Sequence, residues 1–190
     1  STMIRKADKT VTQPFILYVT GQSASGKTTL YGKLKRKYAH HAEIAVHDLD
    51  EVGVPRYGRS HWRLYRVDEL LANAAARFAE GKSTIICGIT MPHEVINSES
   101  YRTTLNVHYL MLRMTQAAFA SRIRDRLEKS GELKDLASWK RANNHLAKNL
   151  YKQVVNQKSG IVLDTSKRTG PEVYREALRI IEGIIERVAK

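Results

Sequence analysis

Residues 21–28 read Gly21-Gln22-Ser23-Ala24-Ser25-Gly26-Lys27-Thr28 and satisfy the pattern G-x4-G-K-[ST] at every fixed position. A loop of this kind can wrap a polyphosphate with its main-chain N–H groups, and a helix that starts on it adds partial positive charge. Lys27 can then reach the β- and γ-phosphates, and the Thr28 hydroxyl can ligate Mg²⁺. Gly21, Ser23, Ala24, Ser25, Gly26, Lys27, Thr28 and Thr29 are therefore the expected contacts of ATP or GTP.

Further candidates follow other apolar runs. His47-Asp48-Leu49-Asp50-Glu51 places two carboxylates at alternate positions of an extended segment, so that both can project the same way. One can hold Mg²⁺, usually through water, and the other can orient an attacking hydroxyl or accept its proton. The stretch 54–66 is rich in arginine and aromatics. Arg56 and Arg63 in it suit a carboxylate or phosphate on a substrate, with Arg63 the stronger candidate. The same stretch is also consistent with a surface helix packed through Trp62 and Tyr65. Gly88 ends another apolar run and permits close approach of backbone to a ligand. No acidic residue stands there, which argues against a motor or transporter ATPase. The base-recognition pattern N-K-x-D of G proteins is also absent. Arg122 and Arg126 are four apart and share a helix face, where they can neutralise a transferring phosphoryl group. The competing reading is a surface helix whose Arg124, Asp125 and Glu128 satisfy one another. Loop 164–169, with Lys167, is expected beside the nucleotide base.

These residues need elements to hold them. Strands are expected at 15–20, 43–47, 84–87, 106–114 and 161–164, alternating with helices at 27–39, 68–80, 115–129, 139–157 and from 169 onward. Such alternation predicts a parallel sheet covered on both faces, with ligands beyond the carboxyl ends of its strands. The segment 122–140, broken at Gly131, is expected to close as a small helical lid. The chain of 190 residues is long enough for one domain, taken as 1–190, with 1–13 a flexible N-terminal segment.

Composition bounds the partners. The 32 Lys and Arg against 19 Asp and Glu give a net charge of +13, a field that attracts polyanions. The basic residues are dispersed, which favours small anionic ligands over nucleic acid. The lone Cys87 excludes an intrachain disulfide and fits a reducing compartment. There is no membrane-spanning run and no apolar core of a signal peptide, so a cytoplasmic location is expected. Oligomeric state has no readable signal.

The assembled pattern resembles the nucleoside-monophosphate-kinase-like branch of P-loop kinases, especially the shikimate kinase and gluconate kinase group. The matching residues are the loop 21–28, Asp48-x-Asp50, Arg63, Arg122 and Arg126, and Asp164-Thr165. The resemblance implies an α/β three-layer P-loop NTPase fold: a five-stranded parallel sheet with helices on both faces and a small helical lid. It also implies an ATP- and Mg²⁺-dependent phosphotransferase with a small anionic or hydroxylated acceptor. A nucleoside monophosphate or a nucleic-acid 5′ end is an alternative acceptor, and a nucleotide-binding regulator is the non-enzymatic alternative. Carried over, Asp48 supports Mg²⁺, Asp50 contacts the acceptor hydroxyl and Arg63 holds a substrate anion. Arg122 meets adenine or phosphate, and Arg126 lies nearer the transferring group. Two departures stand out. Only Gly88 remains where shikimate kinases have a glycine triplet, and the lid lacks that group's Arg-Pro pair.

Overall fold

A computed structural model describes residues 13–188; the expected flexible segment 1–13 lies almost wholly outside them. Five strands, β1 (Ile16–Gly21), β2 (Ile44–Asp48), β3 (Ser83–Cys87), β4 (Val107–Arg113) and β5 (Gly160–Asp164), form one sheet in the order β2-β3-β1-β4-β5. Every pairing is parallel. Between and after them lie α1 (Lys27–Lys37), α2 (Arg59–Ala79), α3 (Pro92–Ile96), α4 (Gln116–Ser130), α5 (Leu136–Val155) and α6 (Gly170–Val188). The expected α/β architecture with helices on both faces is the one observed.

The two-residue period of the strands builds two cores. Leu17 and Val19 of β1, Ile85 and Cys87 of β3, and Leu110 and Leu112 of β4 face α1 and α6. They meet Leu30 and Leu34 of α1 and Ala177, Ile181 and Ile184 of α6. The alternate residues Ile16, Tyr18, Ile86, Tyr109 and Met111 face α2, α3 and α5. Tyr18 and Tyr109 stack there with centroids 5.7 Å apart. Each fully buried Leu, Ile or Val in these layers contributes about 1.5–3 kcal/mol, so the sheet centre is the most firmly held part of the molecule. Helix α4 rests instead on a smaller cluster of Met114, Phe119, Ile123 and Leu127, joined by Leu136 at the start of α5.

Three local differences from expectation have physical causes. Helix α2 begins at Arg59, nine residues before the expected Asp68. Its first turns carry no apolar stripe: Leu64 and Tyr65 are exposed, and the buried residue there is Arg66. Arg66 is anchored by donating to the main-chain oxygens of Leu49 (3.1 Å) and Asp48 (3.4 Å). Helix α3 was not expected at all. It has only five residues, too few to show a period, and Pro92 starts it while the Glu94 carboxylate accepts from the Met91 N–H at 2.9 Å. Arg63 accordingly lies on α2 rather than ahead of it.

The start and stop of α4 follow the sequence. Thr115 caps it, its hydroxyl accepting from the Ala118 N–H at 3.2 Å, and Gly131 closes it with φ 73°. A single 3₁₀ turn, Leu133–Asp135, then leads into α5.

Candidate active site

The chain passes from β1 to β2 and β3 on one side of the sheet, then crosses to β4 and β5 on the other. That reversal leaves a crevice beyond the carboxyl end of β1, where residues 21–26 emerge. A cavity of about 840 Å³ lies there, and Ser23 through Leu30, Asp48, Asp50, Glu51, Gly88, Ile89, Arg122 and Arg126 are among its lining.

The loop is shaped for an anion. Gly26 takes φ 102° at the N-cap of α1, and no side chain caps that end. No acidic residue occupies the first turn of α1. The first N–H groups of the helix therefore have no competing side-chain acceptor, and the helix end keeps its partial positive charge. Ala24 adopts φ 61°, a left-handed conformation that costs a residue with a Cβ about 1 kcal/mol or more. Arg122 holds it there by donating from Nη1 to the Ala24 carbonyl (2.9 Å), while its Nη2 donates to the Thr165 carbonyl (3.3 Å). Buried Thr165 in turn donates from Oγ1 to the Ser25 carbonyl at 3.2 Å. The loops after β1 and β5 are thus tied together through Arg122 and Thr165. Below them, the buried Gln22 amide pairs with the Met114 main chain in both directions at 3.4 Å.

Lys27 folds back along the loop, its Nζ donating to the Gln22 carbonyl at 2.5 Å and to Ser25 Oγ at 3.4 Å. Burial pushes its ammonium down to about 8, against the upward pull of Asp48 and Asp50; Arg126 adds to the downward shift. Arg126 lines the cavity and forms no hydrogen bond or ion pair among the described residues. Arg124, Asp125 and Glu128 form no ion pairs there either, so the salt-bridged alternative for this helix face is not what the structure contains.

Across the cavity, Asp48 Oδ1 accepts from the Asp50 N–H at 2.7 Å, which turns the segment so that both carboxylates line the cavity. Burial raises the Asp48 carboxyl above its ordinary value, opposed by that hydrogen bond and by Lys27. Glu51, which sequence reasoning left without a role, is the hub behind them. It accepts from Tyr31 Oη (3.1 Å) and Arg66 (3.2 Å) and lies 2.7 Å from His47 Nδ1. Burial raises its carboxyl, but the His47 hydrogen bond and charge and the other donors outweigh this, and the net shift is downward. Tyr31 lies one helical turn beyond Lys27, a spacing that could have placed it at the site.

Several expected contacts fall elsewhere. Gly21 does not line the cavity; with φ 153°, a Cβ there would collide with the Leu112 carbonyl of β4 and stand 2.8 Å from Ser25 Oγ, so its smallness serves the packing of the loop against the neighbouring strand. Gly88 does line it, yet the atom that crowds its Cα is Leu49 Cδ1, 2.7 Å from where a Cβ would stand. Lys167 is outside, and Arg168 takes the place expected for it. Lys33, 5.0 Å above the Tyr174 ring, completes that end. Arg56 is outside the lining, near Tyr57. Arg63, expected to hold a substrate anion, instead donates to the Ile89 carbonyl and to Glu94 Oε1 (2.9 Å). The Glu94 side chain is only 7% exposed while that of Arg63 is 35% exposed, so the carboxylate is buried and the guanidinium still reaches solvent.

The donor set suits Mg²⁺. The Thr28 hydroxyl and the Asp48 carboxylate offer hard oxygen ligands. Among the described residues, no group of three or more His, Cys, Asp or Glu forms a metal cage. An ion here would complete its shell with nucleotide phosphates and water, as Mg²⁺ does in phosphate-handling sites.

Solved structures with the same overall fold exist. An unliganded sugar kinase from Janibacter sp. HTCC2649 is 21% identical, with a TM-score of 0.55 over 93% of this chain and 99% of that one. A gluconokinase from Sinorhizobium meliloti 1021 is 15% identical, with a TM-score of 0.59 over 93% of this chain and 96% of that one. The chain shares the fold of these two kinases. At these identities the likeness is one of fold, and no family model and no curated protein sequence matches the chain. No helix among the described residues is long and apolar enough to cross a membrane.

Proposed function

We propose that this protein is an ATP- and Mg²⁺-dependent phosphotransferase that moves the γ-phosphoryl group to a hydroxyl of a small metabolite. The observation that carries this reading is the opposition, across one cavity, of two unlike sets of groups. The uncapped loop with Lys27 and Arg126 stands on one side, and the Asp48–Asp50 pair on the other. A sugar kinase and a gluconokinase share the fold, which supports the same assignment.

The main-chain N–H groups of residues 23–28 and the Lys27 ammonium would bind and orient the β- and γ-phosphates. Thr28 and Asp48 would hold Mg²⁺, which would supply charge neutralisation for the phosphates. Asp50 accepts a hydrogen bond from the acceptor hydroxyl and aims its oxygen at the γ-phosphorus. As the new O–P bond forms, the bond to the β-phosphate oxygen breaks and ADP leaves. The hydroxyl proton passes to Asp50 and on to solvent. Arg126 stands free to meet the equatorial charge of the transferring group. The segment 122–140, seated on its own small cluster, is the part able to close over the cavity and exclude water.

The test is ADP production with Mg²⁺ and a panel of hydroxylated metabolites, sugars, sugar acids, nucleoside monophosphates and 5′-hydroxyl oligonucleotides. Acceptor-dependent ADP is expected for one hydroxylated class. ATP binding with no acceptor-dependent turnover across the panel would favour a nucleotide-binding regulator instead.

A further inference from the structure

The acceptor end of the cavity is the part of the molecule whose chemistry departs most from expectation. Its lining from this side is acidic: Asp48, Asp50 and Glu51. The arginines that flank it are already engaged. Arg66, 4% exposed, is paired with Glu51 at 3.2 Å and with Glu69 at 3.4 Å. Arg63 stands immediately behind the lining residue Ile89, bound to its carbonyl, and its charge is compensated by the buried Glu94 carboxylate. Arg59 donates to the Pro55 carbonyl at 3.2 Å, and neither it nor Arg56 lines the cavity. Among the described residues, the cations that do line the cavity, Lys27, Lys33, Arg122, Arg126 and Arg168, come from α1, α4 and the loop after β5, none of them from α2.

A carboxylate or phosphate on the acceptor needs a cation, or several N–H donors, to replace the water it gives up. At this end it would meet the Asp50 carboxylate, with Asp48 taken by Mg²⁺ in the kinase reading and Glu51 compensated by Arg66, and a guanidinium already matched by Glu94. An uncharged hydroxyl meets acceptors for its protons and suffers no like-charge repulsion. We infer that the acceptor is a polyhydroxylated molecule without an anionic group, and that Glu94, by neutralising Arg63, is a specificity-determining residue. The inference rests on the kinase reading above and narrows its substrate class, excluding sugar acids and nucleoside monophosphates.

Glu94→Gln separates charge from structure. A glutamine oxygen can still accept from the Met91 N–H and from Arg63, so the start of α3 keeps its cap, while the Arg63 charge is released toward Ile89 and the cavity. The probes are matched pairs differing in one terminal group: glycerol with glycerate, xylitol with xylonate, and sorbitol with gluconate. Dissociation constants are measured by calorimetry on the full chain loaded with Mg²⁺ and a non-hydrolysable ATP analogue, and ADP formation is measured with ATP. In the native chain at least one alcohol should bind at least tenfold more tightly than its acid. E94Q should narrow that ratio about tenfold, chiefly by tightening the acid. Preference of the native chain for an acid, a ratio unmoved by E94Q, or no binding by any alcohol overturns the inference. Discrimination in binding with no ADP formed from any pair counts against the kinase reading while leaving the charge assignment standing. ADP formed preferentially with an acid does the reverse.

Discussion

The two ends of the cavity handle positive charge in opposite ways. At the phosphate loop, Lys27 and Arg126 have no carboxylate bound to them among the described residues, and the end of α1 there is uncapped. At the acceptor end, Arg63 and Arg66 are each matched with a glutamate. Both ends are rich in basic residues, so composition cannot tell them apart. Pairing can: a free cation is available to a ligand, whereas a compensated one fixes a loop. The net charge of +13 is therefore a poor guide to ligand charge in this chain. Part of it is structural, as with Arg77, which donates to Thr84 Oγ1 at 3.2 Å and to the Ser83 carbonyl at 3.1 Å.

The largest effect should come from removing the free charge closest to the phosphates. Lys27→Ala is expected to lower the transfer rate by about a thousandfold, read from steady-state ADP formation. A loss under about tenfold would mean that the loop's main chain acts without it.

The two lid arginines sharpen the same contrast. Arg126→Ala should lower transfer by about a hundredfold with little change in melting temperature, since it forms no hydrogen bond or ion pair among the described residues. Arg122→Ala removes charge-assisted bonds to Ala24 and Thr165, worth about 2 kcal/mol, and should lower the melting temperature by about 4–8 °C. Equal thermal shifts for the two variants would break the distinction between free and engaged arginines.

A smaller effect should appear in pH dependence. Lys27 in the empty chain is pushed down to about 8, chiefly by burial, and a bound triphosphate raises it again. ATP affinity should be full below that pH and fall above it, by at most about tenfold per unit. Lys27→Arg, charged throughout, should flatten the decline. Stability of the empty chain moves the other way. Between about 8 and the ordinary lysine value of 10.5 the unfolded state binds more protons, so stability rises with pH across that window.

What could be read in advance divides along the same line. The phosphate loop is contiguous, and its strand and helix flanks follow from hydrophobic period, so the loop and the elements that hold it are legible from residues 15–38 alone. The carboxylate pair was legible because it follows a strand directly. The engagement of Arg63 is not legible, because its partner Glu94 lies 31 residues away on a helix too short to announce itself. Gly88 lines the cavity, but its crowding by the Leu49 side chain, brought there by the pairing of β2 with β3, is not legible without the sheet register. Lys167 and Arg168 differ by one position in a loop without period, and only the backbone decides which faces the cavity.

The most direct test of the phosphotransfer account is Asp50→Asn, assayed for both acceptor-dependent ADP formation and ATP dissociation constant. The account predicts a loss of transfer of at least about a hundredfold, with ATP binding within about twofold of the native chain. Parallel losses in both, or full activity, would contradict it.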